Sequence, residues 1–393
     1  VNETHDRAFT GLLSFVIAVG PVSVDMYLPA FSQIAQDFHD PAAPQLSLAW
    51  YQIGFAIGQI TFGPLSDARG RRPALGVGLT LYMLASVGCA LAPGTISLCV
   101  CRAIAAFGAA ASIVVVRAIV FDLAAGDAAA QMLSTVFAWM TVAPLLAPVL
   151  GNLVLLGAGW RAIFVVAAIY GVICGLLVLR VLPETLPPAR RLPFGPLDFA
   201  ARGAAILRER GFLTHAAIGS CAMFALFAYL GGSATLFETD YGLGSTVYSW
   251  ILAGVGAATI GLLRLSRRLV GRPGWGTFRV IDVYLKLFLV GSLVLIPLVW
   301  LRVPWPLVLL GLLPCVACFT CVQPNVQPGA IRLHQAHRGT AQALMSTLQY
   351  GSGALASALL AWLADGTGRP MAVLFLLSAA AALLAARLRP GAG

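Results

Sequence analysis

Gly63-Pro64-Leu65-Ser66-Asp67-Ala68-Arg69-Gly70-Arg71-Arg72-Pro73 separates an apolar run at 46–62 from another at 74–91. Runs of that length and polarity are spans of a bilayer, so the stretch between them is a tight, strongly cationic turn joining two membrane helices. A turn of this charge belongs on the cytoplasmic side. Gly63 lets two helix ends approach, and Gly70 supplies a turn without a Cβ clash. Asp67 is placed to hold a nearby guanidinium or the positive end of a neighbouring helix. Gly63, Asp67, Gly70, Arg71 and Arg72 together read as a small electrostatic latch.

Outward from this turn the chain keeps the same character. Its 393 residues are 59% hydrophobic and only 10% charged, with a mean hydropathy of +0.88, far from a soluble globular domain. Charged, Gly and Pro clusters divide it into about twelve spans of about 20 residues each, near 9–30, 46–65, 74–92, 97–119, 132–155, 162–182, 213–237, 247–265, 280–300, 305–325, 340–363 and 370–386. The formal charge of +10 invites a nucleic-acid partner, but its placement argues for a lipid bilayer instead. With the N-terminus inside, only Arg161, Arg302 and Arg369 fall outside, Arg102 and Lys286 fall within spans, and every other basic side chain lies at the inner side. That asymmetry sets orientation, with both termini cytoplasmic. The eight cysteines are spread over apolar spans and imply no disulfide framework. The first apolar run contains Asp25 and no small-residue cleavage site, so it is expected to remain as a helix.

Between Pro183 and Gly211 the apolar pattern gives way to prolines and arginines. The break predicts a six-helix bundle over 1–182, a cytoplasmic central loop over 183–212 and a second six-helix bundle over 213–393. Within the loop, 197–210 suits an amphipathic helix on the inner leaflet. Leu65-Ser66 and Arg72-Pro73 recur as Leu265-Ser266 and Arg272-Pro273, each pair following the second helix of its half. Two parallel repeats with a site between them at mid-depth is a transporter arrangement. Gly54 and Gly58 share one helix face and permit close packing. Pro144, Pro148 and Gly151 form a stripe on the fifth span that loosens the helix, which suits a hinge or tight packing.

Asp25 lies in Val22-Ser23-Val24-Asp25-Met26-Tyr27-Leu28-Pro29, where a carboxylate is costly unless paired, hydrated or protonated. An acid whose exposure changes can take up a proton on one side and release it on the other. Arg102 and Asp25 each lie about 7–8 Å below the outer end of their helices, at ~1.5 Å per residue. They can pair or compete for one partner; the alternative for Arg102 is snorkelling to the interface. Tyr27, Trp50, Tyr51, Trp139, Phe224 and Phe227 are candidate cavity walls, with packing or lipid-facing roles equally open. Asp282 and Lys286 read as an ion pair on one helix, and Glu238 and Asp240 as solvated. Cys315, Cys318 and Cys321 read as packing residues, and His334 and His337 as no metal site. No metal is expected. No nucleophilic triad can be assembled, so the chain does not read as an enzyme.

The 63–73 turn resembles the loop between the second and third helices of major facilitator superfamily transporters, roughly Gly-x-Leu-x-Asp-Arg-x-Gly-Arg-Arg, with Ala68 in place of the first arginine. Asp25-Met26-Tyr27-Leu28-Pro29-Ala30, Gly58-Gln59, Gly159-Trp160-Arg161-Ala162-Ile163-Phe164 and Leu182-Pro183-Glu184-Thr185-Leu186 extend the likeness to the bicyclomycin and chloramphenicol resistance (Bcr/CflA) branch of drug:proton antiporters. The resemblance implies an all-α membrane protein of about twelve transmembrane helices in two six-helix pseudo-repeats. It also implies a monomer in the bacterial inner membrane that exports small amphipathic drugs, phenicol-like or bicyclomycin-like. Protons are then the coupling ion, with no cofactor. Asp25 takes the place of the coupling or substrate-contacting acid, and Arg102 that of the fourth-helix arginine. Two patterns depart from the family. The fourth helix reads Arg102-Ala103-Ile104-Ala105-Ala106-Phe107-Gly108 where Arg-x-x-Gln-Gly-x-Gly is usual. The fifth reads Ala147-Pro148-Val149-Leu150-Gly151-Asn152 where Gly-Pro and paired glycines are usual. They leave open a metabolite importer or facilitator of the same fold.

Overall fold

The computed structural model describes residues 3–124, 126–191, 196–270, 276–332 and 338–389. Among these residues the chain is helical apart from short connections, with no strand. It divides into two compact units, one of residues 1–34 and 50–196, the other of residues 35–49 and 197–393.

The first span is discontinuous. It comprises α1 (Glu3–Ile17), α2 (Val19–Asp25), a 3-10 turn (Leu28–Ala30) and α3 (Phe31–Asp37). Proline cannot donate to the helical ladder, and its ring collides with the carbonyl four residues back. Pro21 accounts for the break after Ile17 in this way, and Pro29 ends α2 at Asp25. Helices α4 (Ala43–Arg69), α5 (Arg71–Ala90), α6 (Thr95–Leu123) and α7 (Gly126–Val181) follow. Gly159, at φ +76°, reverses the chain inside α7. The stretches on its two sides are the expected fifth and sixth spans.

Helix α6 is the spine of the first unit. Ala105, Ala106, Ala109, Ala110 and Ala111 are all buried, and α4 lies directly on this small-residue face. A Cβ at Gly54 would strike the Ala103 carbonyl, and one at Gly58 would strike Phe107 and Ala110. Backbones this close gain dispersion contacts that lipid cannot supply.

The second unit contains α8 (Pro196–Ile206), α9 (Arg210–Ala234) with a π-helical extension (Thr235–Asp240), α10 (Ser245–Val270), α11 (Thr277–Trp300), α12 (Trp305–Arg332), α13 (Arg338–Trp362) and α14 (Arg369–Arg387). Gln45 belongs to this unit, its amide donating to the Gly231 carbonyl (3.4 Å) and to Thr235 Oγ1 (3.2 Å). With α1–α3 counted as one interrupted span and α7 as two, the long helices match the twelve expected spans one for one. Nine helices among the described residues are long and apolar enough to cross a membrane. Large apolar side chains such as Ile96, Leu156 and Leu310 face outward, as lipid contact requires and water disfavours. The repeat is visible in burial too: Ser66 and Ser266 are both sealed in the last turns of their helices. Arg272, Pro273, His334 and His337 lie outside the described residues.

Two charge readings need correction. Asp240 is not solvated: its carboxylate pairs with Arg302 (3.0 Å) and accepts the Gly368 N–H (3.1 Å), tying together the connections that follow α9, α11 and α13. Asp282 pairs with Arg389 beyond α14 rather than with Lys286 one turn along its own helix. In both cases packing brings in a basic residue distant in sequence, where Asp240 was read as solvated and Asp282 as paired with Lys286.

Candidate functional site

Asp25 is the last residue of α2 and is 7% exposed. Among the described residues its carboxylate makes no ion pair and no hydrogen bond. Arg102 comes from α6 and is buried outright, so it does not snorkel. Its Nη1 donates to the carbonyl (3.1 Å) and hydroxyl (3.2 Å) of Ser23 on α2. The guanidinium lies over the rings of Tyr51 (4.2 Å), Tyr27 (4.4 Å) and Phe164 (5.7 Å). Aromatic faces attract a desolvated guanidinium by about 2 kcal/mol or more each. Three of them give the charge partial shelter, with no carboxylate paired to it among the described residues. Trp160 stands edge-on to Phe164 at 6.0 Å and backs the cage. The Tyr51 hydroxyl donates to the Gly20 carbonyl (3.3 Å), fixing the ring.

The fifth-span stripe supports this arrangement. Gly151 faces the chain break directly, where a Cβ would run into the Met26 carbonyl next to Asp25. Pro148 is buried; the side chains of Pro144 and Trp139 lie outside the described residues. Gly151→Ala is expected to push α7 off the break, at a cost of about 1–3 kcal/mol for overpacking. A lowered thermal midpoint together with transport reduced at least tenfold would show it; an unaltered protein would show that the contact is not needed.

Of the other candidate walls, Trp50 is 44% exposed. Phe224 is half-buried and Phe227 buried on α9, where Phe227 packs against Gly353. The structure thus joins Tyr27 and Tyr51 to Arg102 and leaves Trp50 apart from them.

The 63–73 stretch is less of a loop than expected. Helix α4 runs through to Arg69, and Gly70 alone, at φ +103°, separates it from α5. Glycine has no side chain to cap the next helix, and a distant carboxylate does so instead. Glu184 accepts the N–H groups of Arg71 (2.9 Å) and Arg72 (3.2 Å), an acid at the positive end of α5. Arg71 reaches Asp67 (2.5 Å), Ser66 (2.9 Å) and Asp122 (2.8 Å), and Arg72 donates to the Leu179 carbonyl. Thr185 donates to Asp122 as well (3.1 Å). Gly63 departs from its expected part: a Cβ there would meet only Val114 at 3.9 Å, an ordinary contact, so it makes no close approach. The backbones of α4 and α6 touch deeper, at Gly54 and Gly58.

Asp122 was missed by sequence reasoning, and Glu184 was singled out only within the Leu182–Leu186 likeness, with no part in the latch. Both are acids at span ends otherwise lined by arginine, and that inversion of sign was the available signal.

The sequence profile of the Major Facilitator Superfamily matches residues 13–357. An uncharacterized MFS-type transporter, YdgK of Bacillus subtilis, is 36% identical over 256 residues, 64% of this chain and 63% of that protein. The chain thus matches less than two thirds of that relative's length. A bicyclomycin resistance protein homolog of Haemophilus influenzae is 27% identical over 366 residues, 91% of each chain. The multidrug resistance protein MdtL of Klebsiella pneumoniae is 33% identical over 245 residues, 62% of each. Among solved structures, a bacterial homologue of the human lysosomal transporter Spinster superposes over the whole of both chains with a TM-score of 0.76 at 14% identity. A D-xylose–proton symporter does so over 98% of each with a TM-score of 0.75 at 18% identity. At such identities these likenesses establish the fold alone.

Proposed function

Because the chain belongs to the Major Facilitator Superfamily, we propose that this membrane transporter exports small amphipathic compounds, phenicol-like or bicyclomycin-like antibiotics among them, in exchange for protons. The names of the bicyclomycin-resistance and MdtL relatives support the substrate class. Support for proton coupling comes from one observation above all: a carboxylate, Asp25, buried in a span at a helix break with no ion pair among the described residues. Ionised there it is costly, so it trades protons with whichever side it is opened to. Arg102, tied to Ser23 two residues away, senses the same break.

In this reading the protein works as a monomer in the bacterial inner membrane, with protons as coupling ion and no cofactor. Both termini and the Arg71 latch are cytoplasmic, and α7 pivots at Pro148 and Gly151 during alternating access. The unusual fifth-span pattern favours a second reading, a metabolite importer or facilitator, and direction of accumulation separates the two.

The test is accumulation of phenicols and bicyclomycin by efflux-deficient cells expressing the chain, with and without a protonophore. Lower accumulation that the protonophore abolishes is the expected result. Uptake that rises with expression would instead establish an importer.

A further inference from the structure

The cage around Arg102 leaves part of its chemistry unanswered. Nη1 is used by Ser23, but Nε and Nη2 are buried with no hydrogen-bond partner among the described residues. The rings of Tyr27, Tyr51 and Phe164 offer diffuse negative charge but no lone pair in the guanidinium plane. A further donor is stranded nearby. Tyr82 of α5 is fully buried; its hydroxyl lies against the Ser23 side chain and within electrostatic reach of Arg102, and makes no hydrogen bond of full geometry among the described residues. Glycines at 108 and 171 pack against Tyr82, at its backbone nitrogen and its ring respectively, and hold it in that position.

Unmet buried donors are costly, and an uncompensated buried charge more so. A water molecule would answer the donors without answering the charge. One acceptor carrying negative charge answers both.

We propose that the Arg102 cage, with the Tyr82 hydroxyl, is a binding site for a small anion or for one anionic group, such as a carboxylate, on an apolar molecule. The site names a chemical feature of the transported class, and in that respect rests on the export reading proposed above. Its test requires no transport, so either can fail alone.

Purified full-length protein in lipid nanodiscs is heated while sodium chloride, sodium benzoate or benzyl alcohol is titrated, with ionic strength held constant by sodium gluconate. Gluconate is itself a carboxylate, so every response is read as a difference from the gluconate baseline. An occupant raises the midpoint by about 3 °C once it exceeds half-saturation a hundredfold. A rise with chloride identifies a free inorganic anion; a rise with benzoate but not chloride identifies an anionic group on an apolar body. Benzyl alcohol, the uncharged counterpart, is expected to have no effect. Arg102→Gln should abolish the rise. Tyr82→Phe removes a hydroxyl that makes no hydrogen bond of full geometry among the described residues, so the fold is expected to hold, and it should raise the half-saturating concentration about fivefold. The proposal is overturned if neither anion raises the midpoint, if benzyl alcohol matches benzoate, or if Tyr82→Phe responds as the wild type does.

Discussion

Asp25→Asn is expected to abolish proton-driven drug accumulation in everted vesicles while the protein still folds and inserts. Asparagine has nearly the same shape, and among the described residues Asp25 has no hydrogen bond or ion pair to lose. Replacing a buried carboxylate by a neutral amide removes a desolvation cost rather than adding one. Folding stability should therefore stay constant or rise, and any loss of function reports on coupling. One proton moving through 100 mV supplies about 2.3 kcal/mol, enough for a gradient of about fiftyfold at 1.4 kcal/mol per decade. The variant should build no such gradient, yet continue to exchange labelled drug for unlabelled drug at equal concentrations. A variant that retains the full pH-driven gradient would remove Asp25 from the coupling scheme.

Arg71→Ala is expected to have the second largest effect. The Arg71 side chain is 8% exposed, that of Asp122 19% and that of Asp67 45%. Solvent screens the Asp67 arm, which contributes little. The Asp122 arm is better shielded, and removing the cation leaves an uncompensated carboxylate there, on the order of 3 kcal/mol. The Glu184 cap of α5 uses backbone N–H groups and survives the substitution. Transport should fall at least tenfold with a lowered thermal midpoint. Arg71→Lys should fall between, since an ammonium keeps the charge but not the planar fork that spans Ser66, Asp67 and Asp122. Equal loss in both variants would mean that geometry alone matters, and no loss in either would show that the latch is dispensable.

The architecture was legible because bilayer spans are written in composition. Apolar runs, basic inner ends and Pro/Gly breaks placed the twelve spans, and the stretch at 197–210 read as amphipathic overlaps the short helix Pro196–Ile206 apart from them. Asp25 and Arg102 were equally legible, as charges where none belongs. Their relation was not. Depth along each helix suggested a pair, whereas rotation about the helix axes turns Arg102 towards Ser23 and three aromatic rings. The latch shows the same division. Asp67 and Arg71, four apart on helical spacing, were within reach of sequence reasoning, but Asp122 and Glu184 lie 51 and 113 positions from Arg71. The Asp282–Lys286 pair failed for the converse reason. A local partner was available in sequence, and packing supplied Arg389 from 107 positions away.

What the sequence by itself determined is whatever depends on transfer between water and lipid: which segments span, where they break, and which buried charges demand an explanation. Transfer free energy is a property of each segment, nearly independent of its neighbours. What only the tertiary structure decided is who meets whom: the aromatic cage of Arg102, the seat of Gly151 on the Met26 carbonyl, and the capping of α5 by Glu184. Those contacts depend on the azimuth of each helix, which close packing of small residues along α6 sets and which no single segment encodes.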